Sequence, residues 1–149
     1  HFRLGVRFAS AAQDAYGVPV QMAAGSPLRD DLLLVAVGRG PNATGMGFEE
    51  QGIAMERGWV LVDERLRTNV PGVFAVGDIT PGLQLAHRGF QHGIFVAEEI
   101  AGLAPTVVAD INIPRVTYCE PEVASVGLTE EQARAQHGDN VVVNFDLVA

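Results

Sequence analysis

Three features of the sequence predict an α/β chain. Residues 32–37 (Leu-Leu-Leu-Val-Ala-Val, ending at Val37) and 73–76 are short apolar runs without a charge, as in strands buried on both faces. Residues 84–101 instead place Leu85, Ala86, Phe90, Ile94, Phe95, Ala97 and Ile100 at helical spacing. Between the second run and that helix stand Gly77-Asp78 and the loop Ile79-Thr80-Pro81-Gly82. Open α/β sheets present ligand sites in such loops, at the carboxyl ends of strands.

The elements follow in order. Residues 3–10 alternate polar and apolar, as a half-buried strand does, and residues 18–22 repeat the pattern. Pro19 predicts a sheet-edge position for the second strand, because it lacks the N–H of a ladder. A polar connection ending at Gly17 joins the two as a small antiparallel excursion. Ser26-Pro27-Leu28-Arg29-Asp30 reads as a turn, and Gly38-Arg39-Gly40-Pro41-Asn42 as a sharp exit from the first apolar run. Residues 48–52 suit one helical turn. Gly58 opens a short strand over 59–63, with Trp59 as packing. In Asn69-Val70-Pro71-Gly72, the Pro-Gly pair suits the middle of a type II turn, where glycine accepts positive φ.

Glu98 and Glu99 fall late in the helix, where the macrodipole mildly disfavours them. Gly102 caps it and Pro105 prevents its resumption. Composition changes over 104–114, which reads as a linker with a domain boundary near residue 110. Strands are predicted over 115–119 and 123–128, around Glu120-Pro121-Glu122. Thr129-Glu130-Glu131-Gln132 has the form of a capping box, with a helix running to about His137 and stopping at Gly138. Residues 141–145 begin another strand.

Bulk properties bound the function. A chain of 149 residues, 48% hydrophobic and 19% charged, can bury a core. Its net charge of −8 argues against a nucleic-acid partner, which needs clustered positive charge. Residues 1–40 carry four Arg and three acids, whereas the remainder is acidic throughout. One cysteine, Cys119, excludes a Cys-pair redox or metal motif within these residues, and reads as a small buried side chain. No stretch has 18 consecutive apolar residues and no targeting motif occurs, so a cytoplasmic location without a membrane partner is expected. The sequence opens at His1 and closes within a strand-like segment, which leads us to expect an internal fragment of a longer protein.

The chemistry concentrates at residues 77–87. Gly77 lets a ligand approach the backbone. Asp78 offers two acceptor oxygens suited to sugar-like hydroxyls. Free N–H groups at the helix start, around Gln84 to His87, suit an anion or a polarised carbonyl. Taken alone, a Gly-Asp turn before a helix is ordinarily plain packing. His87 and His92, five residues apart with no third ligand near, read as structural histidines, and no metal site is expected.

Three motifs, taken together, are specific. Val35-Ala36-Val37-Gly38-Arg39-Gly40-Pro41-Asn42, Thr68-Asn69-Val70-Pro71-Gly72-Val73-Phe74-Ala75-Val76-Gly77-Asp78 and Tyr118-Cys119-Glu120-Pro121-Glu122-Val123-Ala124-Ser125-Val126-Gly127-Leu128-Thr129-Glu130 resemble, in order and spacing, the flavin-dependent pyridine nucleotide–disulfide oxidoreductases. Leu85-Ala86-His87 resembles the branch that oxidises a dihydrolipoyl group, where glutathione reductases typically show Leu-Thr-Pro. The resemblance implies partial FAD/NAD(P)-binding Rossmann-like domains followed by the start of an α+β dimerisation domain. Residues 1–40 would end the NAD-binding domain, 41–110 would be the returning segment of the FAD-binding domain, and 111–149 would start the dimerisation domain.

It also implies roles for residues. Asp78 would bind the ribityl chain of FAD. Gly77, Gln84, Leu85, Ala86 and His87 would line the flavin, with Ala86 facing its pyrimidine edge. Ala36, Val37, Gly38 and Arg39 would line NAD. The redox cysteine pair and the catalytic His-Glu pair of the family lie outside this chain, so no catalytic residue is expected here and the chain alone should be inactive. The implied partners are a second copy of the protein and the lipoyl-bearing acyltransferase of a 2-oxoacid dehydrogenase complex. A related reductase of the glutathione, mycothione or mercuric type is the alternative within the family. A non-catalytic nucleotide-binding module is the alternative outside it.

Overall fold

The computed structural model describes residues 1–146. The chain forms two compact units, residues 1–39 and a second beginning at Gly40. Both secondary-structure types occur, as the sequence predicts.

The first unit is a three-stranded antiparallel sheet of β1 (Phe8–Ala11), β2 (Val18–Met22) and β3 (Leu28–Asp30), in that order. Gly17, with φ +121°, makes the tight approach between the first turn and β3. A Cβ there would lie 2.5 Å from the Asp30 carbonyl oxygen. Arg29 forks onto both carboxylate oxygens of Asp14 at 2.8 Å, and this holds the Asp14 carboxyl below its ordinary range.

Three expectations for this unit are corrected. β2 is the central strand, not an edge. Pro19 is tolerated there because it lies one residue past the last β1 pair, Ala11 with Val20. The Ala12 N–H still donates to the Pro19 carbonyl at 3.2 Å, and only the return bond is lost. Leu28-Arg29-Asp30, read as a turn, is β3. Residues 32–37 form no strand and are exposed, Leu34 at 88% and Val37 at 91%. A strand buried on both faces needs paired neighbours and covering layers, and no described strand pairs with this run.

The second unit has a small core of Ala43, Val60 and Ala75, packed by Phe48, Ile53, Met55, Val62 and Ile79. A two-residue hairpin joins β4 (Met55–Glu56) to β5 (Trp59–Val60). Both of its loop residues, Arg57 and Gly58, have positive φ, as the twist of a tight hairpin requires. Residues 66–68 pair back on 73–75 through Thr68 N–H to Val73 O (2.9 Å) and Ala75 N–H to Leu66 O (3.1 Å). The turn between them is the expected Pro71-Gly72, with Gly72 at φ +77°. Residues 73–76 are thus one arm of a hairpin-like turn, with a single antiparallel bridge at Arg67 and Phe74, rather than a full strand.

Helix α1 spans Ala86–Ile100. Of the apolar residues predicted to face inward, only Phe95 is fully buried. Phe90, Ile94 and Ile100 are exposed, whereas Arg88, His92 and Phe95 are buried. These three and Glu99 follow at spacings of four, three and four, one stripe of the helix. The stripe tolerates charge because its charged members find fixed partners. Glu99, near the helix C-terminus, receives Arg65 Nε at 2.8 Å, and the Arg65 Nη2 and Arg67 Nη2 also donate to it. The Arg65 guanidinium lies 5.3 Å from the Phe95 ring centroid.

The distal part contains an antiparallel pair, β6 (Arg115–Thr117) with β7 (Val123–Ser125), and helix α2 (Glu130–His137). The predicted capping box is present: Gln132 N–H donates to Thr129 Oγ1 at 3.2 Å, and Thr129 N–H to Gln132 Oε1 at 3.0 Å. Gly138 closes the helix at φ +58°. Residues 141–146 form no strand, and the remainder of the predicted terminal segment lies outside the described residues. Cys119 is exposed, contrary to the buried reading, because it sits in the turn between β6 and β7.

Two pH effects follow from α1. The Arg65 and Arg67 guanidinium groups lower the Glu99 carboxyl to about 2. A depressed carboxylate contributes stability that is present above the unfolded value, about 4.3, and lost as pH falls towards about 2. Denaturant titrations should show Glu99→Gln to be less stable at pH 7 and to lack the part of the acid dependence that falls in this window. His92 is 2% exposed, and among the described residues its Nδ1 has no hydrogen-bond partner. Burial, then the Arg88 charge, lowers its pKa, with Asp110 opposing. The imidazole should therefore stay neutral below its ordinary value of about 6.5 in nitrogen-detected NMR. Its contribution to stability should fall as pH drops below that value.

Candidate functional site

The candidate site is built from the turn after residue 76, the loop that follows it, and the first turn of α1. Gly77 takes φ +77° and opens a short 3-10 helix, Gly77–Ile79. Thr80, fully buried, closes that turn twice on one acceptor. Its N–H donates to the Gly77 carbonyl at 3.1 Å and its Oγ1 at 2.8 Å. Asp78 lies in the middle of the turn with its side chain exposed. Among the described residues its carboxylate makes no hydrogen bond or ion pair. Its own carbonyl accepts from Gln84 Nε2 at 3.2 Å. The backbone at Asp78 is therefore held from two directions while the carboxylate stays available.

Gln84 and Leu85 are half-buried, and Ala86 and His87 are exposed at the start of the helix. Leu85 is the N-cap and supplies no capping side chain. Gly89 N–H is bonded to the Leu85 carbonyl at 3.1 Å, which leaves the N–H groups of the preceding first-turn residues without an intrahelical acceptor. Among the described residues, a free carboxylate thus stands one short loop before first-turn N–H groups that have no intrahelical acceptor. His87 itself is engaged, through Nε2 to the Pro114 carbonyl at 2.7 Å.

The loop between turn and helix is fixed by residues that pattern reading did not single out. Arg88, 5% exposed, donates from Nε to Asp110 Oδ1 at 2.6 Å and from Nη2 to the Pro81 carbonyl at 2.7 Å. Its Nη1 lies 3.5 Å from Thr80 Oγ1. Gly82 has φ +114°, and a Cβ there would fall 2.5 Å from Arg88 Nη2 and closer still to Asp110 Oδ2. The positive φ favours glycine, and a side chain there would have to displace the ends of Arg88 and Asp110. No local pattern signals this tie, because the acid that meets Arg88 lies 22 residues away. A cleft of about 350 Å³ lies beside this network, lined by Leu66, Pro81, Arg88, His92, Val108 and Asp110 among others.

Ala36, Val37, Gly38 and Arg39 lie in the first unit, exposed and without regular structure. Among the described residues, no group of three or more His, Cys, Asp or Glu could hold a metal ion. No described helix is long and apolar enough to cross a membrane.

Comparison with known proteins supplies the family. Residues 1–93 match the model of the pyridine nucleotide-disulphide oxidoreductases, and residues 113–149 match the dimerisation domain of the same group. The chain is 42% identical to dihydrolipoyl dehydrogenase 3 of Pseudomonas aeruginosa, over 99% of its own length and 32% of the relative's. It is 45% identical to dihydrolipoyl dehydrogenase of Bacillus subtilis, over 80% of its length and 25% of the relative's. Among solved structures, LpdA of Mycobacterium tuberculosis superposes with a TM-score of 0.75 at 30% identity, covering 88% of this chain and 29% of that one. The HOCl-induced flavoprotein disulfide reductase RclA of Escherichia coli, as a Cu(II) complex, superposes at 0.74 and 32% identity, covering 89% and 30%. The chain therefore spans about a third or less of these relatives, and it belongs to the pyridine nucleotide-disulphide oxidoreductase family.

Proposed function

We propose that these residues form part of a flavoenzyme that oxidises dihydrolipoyl groups with NAD⁺ through an enzyme disulfide. Residues 1–40 would end its NAD-binding domain, 41–110 would be the returning FAD segment, and 111–149 would begin its dimerisation domain. The observation that carries the reading is the free Asp78 carboxylate on a doubly braced turn, one loop before the uncapped start of α1.

The donor set fits FAD. A polyhydroxyl chain needs a strong acceptor, which Asp78 supplies. The pyrimidine edge of a flavin needs donors and a positive partial charge, which the N–H groups at Ala86 and His87 supply. Gly77 keeps side-chain bulk away from the approach. Gln84 and Leu85 complete this face. When bound, FAD supplies the two-electron transfer between dithiol and nicotinamide. The task of this chain is to hold and orient FAD, and to present positive potential where reduction adds negative charge. Ala36, Val37, Gly38 and Arg39 would line NAD. The thiol and acid–base chemistry belongs to residues outside this chain, so the 149 residues alone are inactive. The active form is a cytoplasmic homodimer serving the lipoyl-bearing acyltransferase of a 2-oxoacid dehydrogenase complex.

A related disulfide reductase is the second reading, favoured by the match to RclA at nearly the same TM-score as LpdA. The complete polypeptide carrying this sequence decides between them. Purified with FAD, it should reduce NAD⁺ with dihydrolipoamide and ignore glutathione disulfide. Asp78→Ala should lose bound flavin, read by visible absorbance. The 149-residue chain, mixed with FAD, should show little or no bound flavin and no turnover. Reduction of another disulfide or of a metal ion in place of dihydrolipoamide oxidation would favour the second reading.

A further inference from the structure

We infer that Arg88 is a positioning residue for the flavin-binding loop, fixing residues 77–82 and the first turn of α1 through its tie to Asp110, Pro81 and Thr80. The inference rests on the proposed flavin contacts of Asp78 and the α1 start, and adds a residue that touches neither substrate nor cofactor.

The geometry has three parts. A guanidinium is a planar fork of five donors that stays charged, so one buried in this way must be met by acceptors in fixed directions. Arg88 meets acceptors from separate places in the chain: the Asp110 carboxylate at 2.6 Å, the Pro81 carbonyl at 2.7 Å, and Thr80 Oγ1 more distantly at 3.5 Å. Thr80 passes the constraint on, because its hydroxyl donates to the Gly77 carbonyl beside Asp78. Gly82 closes the loop over the ion pair, in a space that a Cβ would occupy. The path from Arg88 to the Asp78 backbone is therefore one hydroxyl long.

The other end of the tie is also informative. Asp110 opens a 3-10 turn, Asp110–Asn112, directly before the segment that matches the dimerisation domain. The Ile111 carbonyl accepts from Gly127 N–H at 3.0 Å, in the loop before α2. Arg88 thus links the loop at Asp78 to the entry of the dimerisation segment.

The test uses the complete polypeptide carrying this sequence, purified with FAD. Arg88→Met and Asp110→Asn should each weaken FAD binding by about tenfold, the scale of one charge-assisted bond. Both should shift the visible flavin bands, because the α1 donors move relative to the ring. Arg88→Lys keeps the charge and should recover part of the affinity and of the spectrum. Lowered thermal stability with unchanged flavin affinity and spectrum in both Arg88→Met and Asp110→Asn would overturn the positioning role and leave only structural support. If Arg88→Met does not fold, Asp110→Asn decides by the same readouts. An unmodified polypeptide that holds no FAD would sink the flavin reading itself, and this inference with it. Flavin held normally by the parent and unmoved by the variants would sink only this inference.

Discussion

A guanidinium that is 5% exposed must be met by fixed acceptors, and the middle of this chain is arranged around that requirement at Arg88. Asp110 is 40% exposed on its side chain, so only the Arg88 end of the pair is buried, and losing Asp110 would leave a buried cation with one acceptor fewer. The pair with Asp110 need not add net stability, since an apolar replacement of both residues could do as well. What it does is restrict geometry. The loop must turn at Gly82, Pro81 must present its carbonyl, and Thr80 must be buried beside the fork. Each of these also determines where Asp78 stands.

The other end of α1 obeys the same logic with opposite sign. Glu99 opposes the helix dipole at the C-terminus, a mild cost considered alone. Arg65 and Arg67 reverse that balance, and the Arg65 guanidinium lies 5.3 Å from the Phe95 ring centroid. Charges of both signs therefore lie on one buried stripe, and the segments 63–67 and 80–82 are drawn onto it. Helical periodicity places α1 to within two residues at its start and puts Phe95 inward, but it misses the burial of Arg88 and His92 and turns Phe90, Ile94 and Ile100 the wrong way. A hydrophobic pattern records which side chains avoid water. It does not record which charged ones have partners 22 or 34 residues away.

Elements whose causes are local were legible. The Thr129 capping box, the Pro71-Gly72 turn and the Gly138 stop each depend on a few adjacent residues, and each is found as read. Strands were harder, because pairing is not local. Pro19 was read as an edge residue by a sound rule, and the structure evades it by ending β1 one residue early. Residues 32–37 have the composition of a doubly buried strand, but no described strand pairs with them. The exposed run leaves Leu34 and Val37 almost fully open to water. Cys119 was misplaced for the related reason that a turn exposes whatever residue occupies it.

The site divides in the same way. The motif points to Asp78 and the expected helix start points to the N–H groups at Ala86 and His87, whereas the tie of Arg88 to Asp110 and the tight space at Gly82 depend on long-range packing that no local pattern shows. The energetics of Asp78 bear on its role. Its backbone is held by Thr80 through Gly77 and by Gln84 through its own carbonyl. Its carboxylate, exposed and without an internal partner among the described residues, contributes little to that bracing. Exposed charges of this kind usually change stability by less than about 0.5 kcal/mol when replaced. On the proposed reading, the turn is braced on both sides so that this side chain, which does not support the fold, can meet the cofactor. In the proposed flavin site, the acceptor chemistry of that side chain suits the hydroxyls of a ligand chain, and the N–H groups one loop on suit a polarised acceptor edge.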